Sequence, residues 1–160
     1  MDSDFSIDVV GMEGIEAKLT EMGEEWARSA VHTALAPAGK VFADAISALA
    51  PVRTDDHVGP KGLPLPPGAL KRDITFQVFQ KTVVAGTTKD TANVGLWVEF
   101  GHNIVERGGN ARKGKGISGR TAPHPFIRPA FDASVGAAEQ AFVDSLRAQL
   151  EAVKPAQESK

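Results

Sequence analysis

Hydrophobic positions recur at a helical period in two long segments. From about Glu25 to Leu49 the apolar residues are Ala27, Val31, Leu35, Ala38, Phe42, Ala45 and Leu49, spaced by three or four. From about Pro129 to Val153 the stripe is Phe131, Val135, Ala138, Phe142, Leu146 and Leu150. Both segments are predicted to be helices. Glu24 and Glu25 suit the positive end of the first helix dipole. Pro37 lies inside that helix and removes a backbone bond, so the sequence predicts a kink near Thr33 to Ala36, or two helices. Pro51 forces an end. A shorter helix is expected from about Met12 to Met22, broken by Gly23, after a short strand over Phe5 to Val10.

Between the long helices the period shortens. Ile74 to Val84 alternates Ile74, Phe76 and Val78 against Thr75 and Gln77, and Val94 to Phe100 ("VGLWVEF") reads as a second strand. The two are expected to pair as an antiparallel meander after a turn over Thr87 to Asn93. On that strand Trp97 and Glu99 share one face, which makes Glu99 an exposed carboxylate. Two Gly/Pro-rich segments have neither period. Residues 51–68 form a loop with five prolines, and residues 102–122 form a basic, flexible one. The order predicts an α+β fold: a small antiparallel sheet packed by a long Pro-kinked N-terminal helix and a C-terminal helix. A single domain is expected over residues 1–153, followed by a polar tail at 154–160.

Composition narrows the chemistry. A chain of 160 residues suits one domain that buries about 70% of its unfolded surface. With no cysteine, thiol catalysis, thiolate metal sites and disulfides are excluded. The net charge of −2 gives no global case for nucleic acid or an anionic membrane, so any basic feature is local. The first residues lack a basic stretch before an apolar core, and no apolar run approaches the ~20 residues of a bilayer span. A soluble intracellular product without membrane partners is expected.

The local basic feature is "RGGNARKGKGISGR". It is one residue short of a phosphate-binding loop, because Gly116 stands where a magnesium-binding hydroxyl belongs. "NIVER" before it is a poor strand, and "GISGRTAPHP" after it cannot start a helix, so no nucleotide cofactor is expected. Arg107, Arg112, Lys113, Lys115 and Arg120 against Glu106 give the loop a formal +4. It is either a solvated arm or a non-specific contact for phosphates or a neighbouring subunit. No aromatic residue is interleaved to stack on bases. The histidines at 32, 57, 102 and 124 lack the spacing of a helical zinc pair, and Asp55-Asp56-His57 reads as turn chemistry rather than a metal site. No serine lies in a nucleophile-elbow context, so catalytic, cofactor and metal residues are all expected to be absent.

Four motifs in fixed order carry a resemblance: "ALAPVRT" with Pro51, Val52, Arg53 and Thr54; "GALKRDI"; "VGLWVEFGH" with Glu99, Phe100 and Gly101; and "APHPFIRPAFD" with Pro125, Phe126 and Pro129. Together, over about Ile7 to Leu150, the chain resembles the neck and tail-completion family of long-tailed phages and prophages, a tail-component, gene-product-ten-like family. Where the family has glycine after "PVRT" this chain has Asp55, and "GAL" arrives only at Gly68, so Asp55 to Pro67 looks like an insertion. The residue after "EFG", often threonine in the family, is His102.

The resemblance implies a non-enzymatic virion protein, made in the host cytoplasm and built into the neck. It implies a homo-oligomeric ring of six or twelve subunits between the head connector, with its adaptor or stopper proteins, and the tail tube or tail terminator. Genomic DNA in the lumen is a further implied contact. It also implies that "PFIRP" fixes the approach of the last helix, with Phe126 and Ile127 buried, and that Arg128 is an interface or a solvated charge. Tail terminator and non-specific nucleic-acid-binding module stay open as alternatives.

Overall fold

The computed structural model describes residues 14–54, 57–58, 64–110 and 115–157; of Arg107 and Lys115 it describes the backbone alone. The fold is α+β. Helices α1 (Ile15–Met22) and α2 (Glu24–Leu49) are followed by a short pair, β1 (His57–Val58) and β2 (Pro64–Leu65). A single turn, α3 (Ala69–Arg72), leads to β3 (Ile74–Phe79) and β4 (Thr82–Thr87). Then come α4 (Ala92–Phe100), β5 (Asn103–Asn110), β6 (Lys115–Arg120) and α5 (Ile127–Gln157). Among the described residues the strands form three separate two-stranded pairs rather than one sheet: β1 with β2, β3 with β4, β5 with β6. No described helix is long and apolar enough to cross a membrane.

Several expectations are corrected. Helix α2 is one continuous helix through Pro37, so the two-helix alternative is set aside. The bond lost at proline costs about 3 kcal/mol in an isolated helix, and here a long buried face offsets it. That face is Ala30, Ala34, Ala38, Ala43, Ile46 and Ala50, rotated from the stripe of larger side chains, and Leu49 stays 49% exposed. The α5 stripe holds at Ala138, Leu146 and Leu150, with Ala130, Ser134 and Val143 also buried, and the helix begins two residues early, at Ile127. The Ile74 to Val84 strand is in fact a hairpin. It turns at Gln80-Lys81, where Gln80 takes a left-handed φ of 49°, and a two-residue connection requires antiparallel pairing. The expected strand over Val94 to Phe100 is helix α4. The basic loop is a β-hairpin in its described parts, and loop 51–68 contains the β1–β2 pair. The expected strand over Phe5 to Val10 lies outside the described residues.

Contacts divide the chain into two compact units. The first comprises Met1–Val41, Gln77–Val84 and Val135–Lys160. Its core joins Ile15, Ala30, Ala34, Leu146 and Leu150, flanked by Leu19, Met22, Trp26 and Phe142. The small alanines let α2 and α5 approach closely, since interaxial distance follows contact side-chain size. Gln149 fixes their register by donating Nε2–H to the Ala30 carbonyl at 3.1 Å.

The second unit comprises Phe42–Phe76 and Ala85–Ser134. Its core is Ile46, Ala50, Leu70, Phe126 and Ala130, with Ile74, Ala85, Val94, Val98 and Ile127 against it. Phe42 and Phe131 stack with centroids 5.0 Å apart. Two bonds hold the chain leaving α2: Ser47 Oγ–H donates to the Lys71 carbonyl at 3.2 Å, and Gly68 N–H to the Arg53 carbonyl at 3.2 Å.

Candidate functional site

The second unit holds two of the four motifs in one device built around α4. The buried side of this helix is Thr91, Gly95 and Glu99, each four residues from the last. Thr91 is 3% exposed; its hydroxyl, like that of Thr88, donates to Asp73 Oδ2. This ties the entry of α4 to the start of β3. Gly95 must be small, because a Cβ there would lie 2.9 Å from Thr87 Oγ1 and Cγ2. Val94 and Val98 complete the inner face by packing on the unit's core.

Glu99 ends the stripe and is 6% exposed, which corrects the expectation of a surface carboxylate. Its side chain reaches the start of α5. The N–H groups of Phe126 and Ile127 donate to Oε2 at 2.7 and 2.9 Å, and that of Arg128 donates to Oε1 at 3.2 Å. The first amides of a helix have no partner within it, and its N-terminal end attracts negative charge. Burial pushes the Glu99 pKa up, but the Ile127, Phe126 and Arg128 amides and the Arg128 charge hold it below the usual carboxylate value. All three bonds are charge-assisted. Glu99 is therefore a helix cap donated from another element, with its lone pairs committed to backbone.

The chain around this cap closes into a clasp. Gly101 has φ 70°, and a Cβ there would lie 2.4 Å from the Thr121 carbonyl oxygen, so glycine is required twice over. The next residue pairs with Thr121: His102 N–H donates to Thr121 Oγ1 at 3.0 Å, Thr121 N–H donates to the His102 carbonyl at 2.8 Å, and Thr121 Oγ1 lies 2.9 Å from His102 Nδ1. His124 N–H closes the far side on the Val98 carbonyl at 2.7 Å. Phe126, 1% exposed, plugs the core beneath, as expected; Ile127 is only half-buried.

From the mouth of the clasp runs the β5–β6 hairpin. Asn103 faces Arg120, Ile104 faces Gly119, and Val105 faces Ile117, with register shifts on either side of Val105. Gly116, at φ 70°, sits in the second irregularity. Of the basic residues, Arg120 is exposed and donates Nη2–H to the Phe100 carbonyl at 3.4 Å. Arg107 and Lys115 lie on β5 and β6, while Arg112 and Lys113 fall outside the described residues. "NIVER" is thus strand after all, but the near phosphate loop leads into β6, not into a helix. Arg128 is exposed beside the Glu99 cap.

The outer side of α4 is apolar: Leu96, Trp97 and Phe100 are 54%, 41% and 57% exposed. Trp97 stacks on His102 with centroids 5.1 Å apart. Beside them opens a groove of about 480 Å³, with Val52, Leu65, Leu70, Val94, Trp97 and His102 among its walls. Of the first motif, Pro51 is half-buried and Val52, Arg53 and Thr54 are exposed. Among the described residues no group of three His, Asp or Glu side chains is arranged to hold a metal ion.

Sequence reading missed the partner of Glu99, the bridging by Asp73, and the pairing of Thr121 with His102. Asp73, sitting just before an alternating strand, was the one available signal, because aspartate at such a position bonds neighbouring backbone and hydroxyls. No protein-family model, curated protein or solved structure matches this chain.

Proposed function

We propose that this chain is a structural virion protein of a tailed phage or prophage, a neck or tail-completion subunit. It closes into a ring that joins the head connector to the tail tube. The observation that carries this reading is the inverted face of α4. Its buried side is Thr91, Gly95 and Glu99, while Leu96, Trp97 and Phe100 face outward beside an apolar groove. Exposed apolar surface of this kind marks a protein contact.

The motifs behind the family resemblance support the same reading. "VEFGH" and "APHPFIRP" form one clasp, with Glu99 capping the helix that Phe126 anchors. Its product is a fixed platform from which a hairpin leaves, as suits a subunit that orders neighbours. Deleting the gene from a producing lysogen tests the reading. Filled heads and free tails that fail to join are expected; normal yields of tailed particles would overturn it.

A further inference from the structure

The first compact unit holds a cleft of a different character. About 550 Å³ in volume, it opens between helix α2 and the β3–β4 turn. Its described walls are Arg28, Ser29 and His32 on α2, with Gln80 and Lys81 at the turn. All five belong to the same unit. Arg28 and His32 stand four residues apart, so they share one face of the helix, with Ser29 beside them. Gln80 and Lys81 are the two connecting residues of the hairpin, with Gln80 at a left-handed φ of 49°. A tight turn thus brings adjacent side chains to the same wall.

The chemistry of this lining is one-sided. A guanidinium, an ammonium, an imidazole, a hydroxyl and a primary amide can each donate a hydrogen bond. Among the described residues the lining has neither a carboxylate nor an apolar side chain. Arg28 and Lys81 are cations at neutral pH, and a concave wall focuses their field on what enters it. These donors are also largely uncommitted. Among the described residues the side chains of Ser29, His32, Gln80 and Lys81 have no hydrogen bond or ion pair, and Arg28 pairs with the Glu24 carboxylate. The Arg28–Glu24 side chains are 68% and 81% exposed, so that pair contributes little and exchanges readily for another anion.

Donors converging without acceptors suit a ligand that only accepts. Two cations in one cleft suit a ligand with two negative charges, and a guanidinium fork matches phosphate oxygens. We propose that the cleft between α2 and the β3–β4 turn binds a phosphate group, with Arg28 and Lys81 as its charged contacts and Ser29, His32 and Gln80 as further donors. The site lies outside the four motifs and stands or falls independently of the neck reading.

Inorganic phosphate is the probe, added to the full chain at fixed ionic strength and followed by amide NMR. Saturable shifts are expected at Arg28, Ser29, His32, Gln80 and Lys81. Lys81→Ala is expected to weaken binding about tenfold, the effect of losing one charge-assisted bond. Glu24→Gln, which releases Arg28, is expected to tighten it. Lys89→Ala, at an exposed lysine outside the cleft, is expected to leave the affinity unchanged. The replaced side chains are all exposed, and thermal unfolding checks that each variant keeps its fold. A short DNA duplex separates the sources of the group. The same shifts at lower concentration assign the site to phosphodiesters of nucleic acid; shifts with phosphate alone assign it to free phosphate or a phosphate monoester. Shifts that rise without saturating, equal weakening by Lys89→Ala and Lys81→Ala, or no shift at these residues would each overturn the site.

Discussion

Glu99 converts two distant stretches of sequence into one piece. It bonds amides 27 to 29 residues away, and those amides begin the longest helix of the chain. Replacing it with alanine leaves three amides at a buried helix start unpaired, which is expected to cost about 3 kcal/mol in urea unfolding. Glu99→Gln keeps an acceptor but loses the charge, and about 2 kcal/mol is expected. The pH dependence follows from the depressed folded-state pKa. The cap's contribution is fully present above the unfolded carboxylate value and is lost as pH falls through the lower folded value. The stability gap between wild type and Glu99→Gln should therefore shrink in acid; a gap that stays constant would contradict the cap. "EFG" and "PHPF" were both visible as motifs. Their meeting was not, because nothing in 26 intervening residues encodes which helix a carboxylate will reach.

At the scale of elements, legibility followed the size of the buried side chains. Helices α2 and α5 were readable because their apolar positions keep a helical period over many turns. Yet the buried α2 face is mainly an alanine row, with Ile46 its one large side chain, because close helix contact selects small side chains. Ala34, fully buried against Leu146 and Leu150, tests this. Ala34→Leu is expected to destabilise by about 1–3 kcal/mol through overpacking, while Ala48→Leu on the exposed face of the same helix is expected to be near neutral. Equal effects on the thermal midpoint would refute the assigned face. The sequence of helix α4 reads as a strand for the opposite reason. Its valines, tryptophan and phenylalanine favour strands, and its buried side carries threonine, glycine and glutamate, so the pattern of polar and apolar positions is inverted. The sequence of the β5–β6 hairpin reads as a loop because glycines and charges interrupt any alternation, leaving Ile104, Val105 and Ile117 as its only β-branched residues.

At the scale of the whole molecule, the outward α4 face, the groove and the basic hairpin are surfaces a solitary chain leaves unused. The α+β class was legible from the order of periodic segments. The division into two compact units was not, since α2, β3, β4 and α5 each contribute residues to both. The proposed ring would place this chain at the head–tail joint. Cryo-electron microscopy of particles carrying a small tag on the chain tests it most directly. Tag density at that joint with six or twelve copies around the axis is expected; intact tailed particles with no tag density there would contradict the proposed ring.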